Sequence, residues 1–445
     1  MRKKQHLQTS VFDYYVEHEI GEELKNISMI LDQHMQILDW VEKDIRSINL
    51  KDASGRKGMS VESVLRCAIL KQHRQLSYEE LSFTLLDSLS CQTFARLIDG
   101  FVPKKSALQG AISRIQESTW ERINLALLNN AKESGIEKGT MLRIDSTVTE
   151  THIHEPTDSS LLWDSVRVLI RLLKQAHEMG VDFEWHDHHR VAKKRARSII
   201  YIRGKDKKKV LYHDLIRYTN KTLQYINNAK IAGHANPSPE WIYWCAEVEY
   251  TLPLIHQVID QTTRRVFKEE KVSASEKIFS LFETHTDIIV KGSRDIQYGH
   301  KLNFSTGRSG MVLDVVIETG NPADSDQFIP MVDRHIKHYE KAPRQVAADG
   351  GYASKENLET AKQRKVKDVA FHKKRGLTIT DMAKSPWVYR KLRNFRAGIE
   401  AGISYLKRCF GLSRCNWKGL EHFKSYVWSS VVTHNLVMMA RLQAP

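Results

Sequence analysis

The chain has 445 residues, 41% of them hydrophobic, enough for two or three domains with real cores. Its 68 Lys and Arg against 53 Asp and Glu leave a net charge of +15, which points to a polyanionic partner. No apolar run reaches the roughly 18 residues of a membrane span and no signal peptide opens the chain, so membrane association is not expected. Cys67, Cys91, Cys245, Cys409 and Cys415 are scattered, odd in number and never in CxxC spacing, which argues against a zinc module or a disulfide framework and fits a reduced, cytoplasmic protein.

Residues 1–50 read as a helical N-terminal segment. Residues 51–138 read as an all-helical domain built of short capped helices. Ser60 precedes VESVLRCAILKQH, Ser77 and Glu80 form a capping box before LSFTLL, Ser90 precedes CQTFARL, and Ser106 with Gln109 starts ALQGAISRIQ. Such a domain is either a helix-turn-helix DNA reader or a helical body without DNA contact; the charge of the chain favours DNA.

At 141 the period changes. MLRIDSTVTE alternates and is rich in β-formers, so it predicts a strand, with Asp145 inside it. An acidic residue in such a pattern is more often solvated than a ligand. Residues 160–285 turn helical again. Within them, Arg190 to Lys209 holds ten Lys or Arg in twenty residues against the single Asp206. A charge run is usually a solvated helix face, but so many cations repel one another unless something neutralises them. Phosphate contact is therefore expected there, with Lys193, Lys194, Arg195 and Arg197 as candidates. The histidines of WHDHH lack fixed ligand spacing and are not read as a metal site; Trp241 and Trp244 are read as core.

From 286 the β period returns in TDIIVKG, GHKLNFSTG and GMVLDVVIETG, followed by a helix over 325–341. RQVAADGGYAS then reads as a short strand with Asp349 at its C-terminal end, a Gly-Gly turn, and Ser354 capping a further helix. Sites in open α/β sheets gather at the carboxyl ends of strands, which favours Asp349. VKDVAFHKK is the next strand and runs into Lys373, Lys374 and Arg375. After a loop containing Pro386, RNFRAGIEAGISYLK predicts a helix over 393–407 in which Arg396, Glu400 and Lys407 share one face. Alone, that face reads as a salt-bridge ladder. The final YVWSSVVTHNLVMMARL reads as an apolar helix packed on the sheet.

Asp145 and Asp349 on neighbouring parallel strands would meet Glu400 from a flanking helix. Three carboxylates in one place repel unless cations join them, and oxygen-only ligands favour Mg²⁺ or Mn²⁺ over zinc. Two such ions clamp the attacking and leaving oxygens of an in-line phosphoryl displacement.

Taken together, these stretches resemble the bacterial insertion-sequence transposases of the DDE class. GMSVESVLRCAILKQHRQLSYEELSFTLLDSLSCQTFARL is similar to the N-terminal helical domain of that group, RIDST to its first catalytic strand, GHKLNFST to its second-strand block and AADGGYAS to its second-Asp block. RAGIEAGISYLK resembles the R-x3-E-x6-K part of the Y-R-E-K helix pattern. The long insertion is most similar to the ISNCY-like branch. The resemblance implies an α/β ribonuclease H-like mixed-sheet catalytic core at 139–440, interrupted by the helical insertion 160–285, behind the all-helical N-terminal domain. It also implies Asp145, Asp349 and Glu400 as catalytic, metal-binding residues holding two Mg²⁺ ions, with Mn²⁺ able to substitute. Arg396 and Lys407 would hold transposon-end DNA. The implied partners are double-stranded DNA, as terminal inverted repeats and as target; synapsis of two ends suits a homodimer, near the nucleoid. A nuclease on the same core and an inactive DNA-binding relic are the alternatives.

One position departs from the pattern. Where it has a tyrosine, three residues before the arginine, this chain has Arg393. Tyr389, seven before Arg396 and eleven before Glu400, lies near whole helical turns from both, so Tyr389 and Arg393 are expected to share the DNA-contact role, provided the helix runs back through 389.

Overall fold

The computed structural model describes residues 15–46, 58–97, 101–236, 238–291, 295–372 and 376–443. Part of the N-terminal segment and the cations Lys373, Lys374 and Arg375 lie outside the described residues. The chain divides into two compact units, residues 1–151 with 299–445, and residues 152–298.

Five strands of the sheet lie wholly or mostly in the first unit, whereas Asp287–Lys291 and residues 295–298 fall in the second. β1 (Met141–Glu150), β2 (Asp287–Lys291), β3 (Asp295–Thr306), β4 (Val312–Ile317), β5 (Gln345–Ala348) and β6 (Asp368–Phe371) form one sheet in the order β2-β3-β1-β5-β6, with β4 also on β3. β1 is central: it pairs antiparallel with β3 and parallel with β5, and β5 pairs parallel with β6. β5 and β6 are short and almost wholly buried, as suits parallel strands covered on both faces.

The N-terminal helices are not a separate body. The apolar faces of Glu19–Asp32, Gln36–Arg46, Val61–His73 and Glu117–Glu133 share one continuous core with the sheet. The final helix, Leu420–Gln443, explains why. It is buried nearly all round and packs against Glu19–Asp32, Val61–His73 and Glu117–Glu133 as well as β4, so it serves the N-terminal helices more than the sheet. Asn435 fixes the junction: its side chain donates to Asn124 Oδ1 and to the Val312 carbonyl, both at 2.7 Å, and accepts from the Val312 amide at 2.8 Å.

Several helix starts follow the sequence signals. Ser60 caps Val61–His73, and Ser77 with Glu80 makes a reciprocal capping box. Others shift: Ser88 rather than Ser90 caps Leu89–Phe94, and the helix at Lys105–Ile112 begins before Ser106 with no side-chain cap. The helix expected over 393–407 is longer, Pro386–Cys409. Ser385 caps it, and Pro386 occupies the first turn, where a missing N–H costs nothing, rather than a loop.

The second unit is helical, with Asp158–Glu178, His189–Tyr201, Lys205–Ala232 and Pro239–Val266 packed around their own apolar core. Trp241 and Trp244 are buried in it and stacked with centroids 4.4 Å apart; the Trp244 indole donates to the Leu172 carbonyl.

Candidate active site

Helix Pro386–Cys409 lies against β1, β5 and β6, and two sets of contacts tie it to β1. Near its middle, the Arg143 guanidinium donates to the Phe395 carbonyl at 3.0 Å, covers the Phe395 ring, and donates to Thr306 Oγ1 at 2.7 Å. Gly398 makes this approach feasible, because a β-carbon there would collide with Arg143 Nη1. Beyond the helix, the Leu412 carbonyl accepts from Thr149, the Ser413 carbonyl from the Glu150 amide, and the Cys415 amide donates to the Glu150 carbonyl. Arg396 and Glu400 lie on the stretch between these ties.

Alternation along β1 puts Asp145 on the same face as Arg143, toward this helix. Asp349 follows the last residue of β5, at the start of the turn Gly350–Tyr352, and makes no capping bond with its side chain. The three carboxylates, separated by 203 and 50 intervening residues, meet on one guanidinium. Arg396 Nη2 stands 2.9 Å from Asp145 Oδ2 and 3.2 Å from Asp349 Oδ1, while Nη1 stands 2.6 Å from Glu400 Oε1. Exposure rises across the group, from 13% of the Asp145 side chain through 38% for Asp349 to 59% for Glu400, so the group opens to solvent on the Glu400 side.

A second polar group lies under β1. Ser146 is paired in register with Asn303, whose side chain accepts from the Tyr352 hydroxyl at 2.5 Å and donates to Glu318 Oε1 at 2.8 Å. Gln327 donates to the other Glu318 oxygen. Burial pushes the Tyr352 hydroxyl well above the usual tyrosine range, reinforced by the carboxylates of Asp324, Asp145 and Asp349; burial also raises Glu318. Tyr352 thus remains a neutral donor and holds the turn that presents Asp349. The Lys301 ammonium meets Asp324 Oδ1 at 2.6 Å beside this group.

Arg143, Gly398, Asn303 and Tyr352 were not singled out by sequence reasoning. The GHKLNFST and DGGY stretches held two of them, but nothing in either stretch names the partner. Of the cations expected to face DNA, Arg393 is exposed and Lys407 half-buried. Arg396 is 8% exposed and faces the carboxylates. Tyr389 requires a correction: the helix does run back through it, but its side chain is 5% exposed and its hydroxyl donates to the Phe371 carbonyl at 2.8 Å, so it fastens the helix to β6 instead of reaching outward.

In the second unit, Ala192, Ala196 and Ile199 bury one face of His189–Tyr201. Arg190, Lys193, Lys194 and Arg197 line an open groove of about 590 Å³ on the other. Lys193 also lies over the Trp163 ring. Arg195 points elsewhere, 3.2 Å from Asp214 Oδ2.

Among the described residues no three His, Cys, Asp or Glu side chains are placed so as to hold a metal ion as they stand. Asp145, Asp349 and Glu400 are nonetheless an all-oxygen donor set already drawn onto one cation, which suits a hard divalent ion.

Residues 253–436 are similar to the family model of the transposase DDE domain. The matched stretch includes Asp349 and Glu400 and begins after Asp145, which Arg396 joins to them. No curated protein and no solved structure matches the chain.

Proposed function

We propose that the chain is a DNA transposase of the insertion-sequence type, similar to the ISNCY-like branch, that cuts the strands at the ends of its element and joins them to target DNA. The observation carrying this reading is the meeting of Asp145, Asp349 and Glu400 on Arg396, within a chain whose residues 253–436 are similar to a transposase DDE domain.

In the first step a water oxygen bonds to the phosphorus at the element's end and the bond from phosphorus to the 3′-oxygen breaks, leaving a 3′-hydroxyl. In the second, that hydroxyl oxygen bonds to a target phosphorus, displaces the target's 3′-oxygen and loses its proton. Asp145, Asp349 and Glu400 would hold two divalent ions, Mg²⁺ or Mn²⁺. When bound, these ions activate the attacking oxygen and stabilise the departing one. Tyr352 and Asn303 keep the Asp349 turn in place, and the Arg143 joint keeps Glu400 over β1. Arg393 and Lys407, on the catalytic helix, and Lys193, Lys194 and Arg197, along the basic groove, are the residues we assign to double-stranded DNA as terminal inverted repeats and target. Arg195 is a weaker candidate because Asp214 already neutralises it. A homodimer holding two ends in a synaptic complex, in the cytoplasm at the nucleoid, completes the proposal.

The test is a strand-transfer assay on oligonucleotides carrying the inverted repeats that flank the gene, with Mg²⁺. Cleavage followed by joining is expected. Cleavage without joining would mean a nuclease, and binding alone a relic. Asp145→Ala should lower cleavage by about a thousandfold or more while DNA affinity stays within twofold; near wild-type cleavage would refute the site.

A further inference from the structure

The Arg396 guanidinium has an unusual set of partners. Its Nη1 and Nη2 meet three carboxylates and nothing else among the described residues, while its Nε is buried and has no acceptor. A buried arginine that serves as a structural tie engages all three of its nitrogens: Arg66 donates from Nε to Glu62, from Nη1 to Ser28 and the Phe94 carbonyl, and from Nη2 to Asp32. Arg396 leaves one donor unused in order to face three anions that would otherwise repel one another. Asp145 Oδ2 and Asp349 Oδ1 share a single nitrogen, so these oxygens converge on one point in space.

We propose that Arg396 is a positioning residue, the resident counter-cation of the triad, which gathers the three carboxylates before divalent ions arrive and is displaced from Asp145 and Asp349 when they bind. This rests on the metal-site reading above. Two like charges cannot share Asp145 Oδ2 and Asp349 Oδ1, so guanidinium and divalent ion compete for the same oxygens. The i to i+4 pairing with Glu400 on the same helix lets the side chain pivot while that contact persists. Once released, its donors, the unused Nε–H included, become available to a phosphate. Arg396 then passes from the triad to the DNA as the ions enter. This would also order the events, since DNA grip through this residue follows ion binding.

The sign of one measurement separates this role from simple scaffolding. Mn²⁺ affinity of the full chain is measured by titration calorimetry and by electron paramagnetic resonance, without DNA, for the wild type, Arg396→Gln and Arg396→Lys. A counter-cation competes, so Arg396→Gln should bind Mn²⁺ about tenfold more tightly, with Arg396→Lys between it and the wild type. A scaffold supports, so its loss would leave affinity unchanged or weaker, which would overturn the inference. Thermal unfolding gives the second readout. Arg396→Gln should melt below the wild type in EDTA, and saturating Mg²⁺ should close most of that gap; an equal gap in both conditions would also overturn it. Should Arg396→Gln fail to fold, Arg396→Lys alone decides, by the same sign. A wild type that binds no Mn²⁺ and cuts no DNA would sink both this inference and the proposed function. A wild type that binds and cuts, with unchanged affinity in the variants, would sink the inference alone.

Discussion

Arg143 and Gly398 work as one joint, and either alone is unremarkable in sequence. The arginine needs the glycine's missing side chain to reach the Phe395 carbonyl, and Glu400 is two residues beyond that glycine. Gly398→Ala should therefore displace Arg143 and destabilise the protein by about 1–3 kcal/mol in urea titration, with cleavage falling further than stability explains. Tyr389 carries the opposite expectation. Because its hydroxyl is spent on the Phe371 carbonyl, Tyr389→Phe should cost about 1 kcal/mol of stability and leave DNA affinity unchanged in a binding titration. A clear loss of affinity would restore the outward role that helical spacing suggested. Spacing placed Glu400, Arg396 and Tyr389 on a face correctly in angle, but it carries no information about which neighbour occupies that face. A cation beside a carboxylate reads equally as a phosphate clamp or as the carboxylates' own partner. Asn303 and Tyr352 stayed hidden for the same reason: each is defined by the other, 49 residues away.

The strands and the long helices were readable as elements because each keeps a clean period and turn or cap residues bound it. Asp145 inside β1 and Asp349 after β5 came out of that reading, and the parallel pairing of β1 with β5 brings the two strands together. Element ends were less readable. Pro386 looks like a loop residue, yet with Ser385 as cap it opens the helix that carries Glu400 seven residues earlier than its charged pattern does. Ser385 accepts from the Val388 amide at 3.3 Å, a modest bond, so Ser385→Ala should cost about 0.5–1 kcal/mol in a circular-dichroism melt without altering the residues around Glu400.

Across the whole molecule the sequence conveyed an interrupted α/β core but not how its cores merge. Amphipathic periods state that a helix buries a face without stating against what, so the N-terminal helices read as a body of their own although they share their core with the sheet. The 152–298 unit has a distinct core, and calorimetry should resolve more than one unfolding transition. The main core also carries an acid sensitivity. Burial pushes His335 down to about 4, where its ring nitrogen meets the Gly139 carbonyl, and burial pushes His434 down to about 4 as well. Both remain neutral in the native state while the unfolded chain takes up protons near its ordinary value of 6.5. Their contribution is therefore full above that value and is lost as pH falls toward 4. Urea midpoints measured from pH 7.5 to 4.5 should decline through this window, and His335→Gln should flatten the decline.

The final helix sets a clock on the protein's birth. Glu117–Glu133 leaves the ribosome about 290 residues before Leu420–Gln443, the segment that covers its apolar face. At roughly 5–20 residues per second, those early helices wait for tens of seconds with that face uncovered. Nascent chains are therefore expected to bind holding chaperones while this face waits, and a message truncated upstream of 420 should give an insoluble product, which fractionation of the lysate checks.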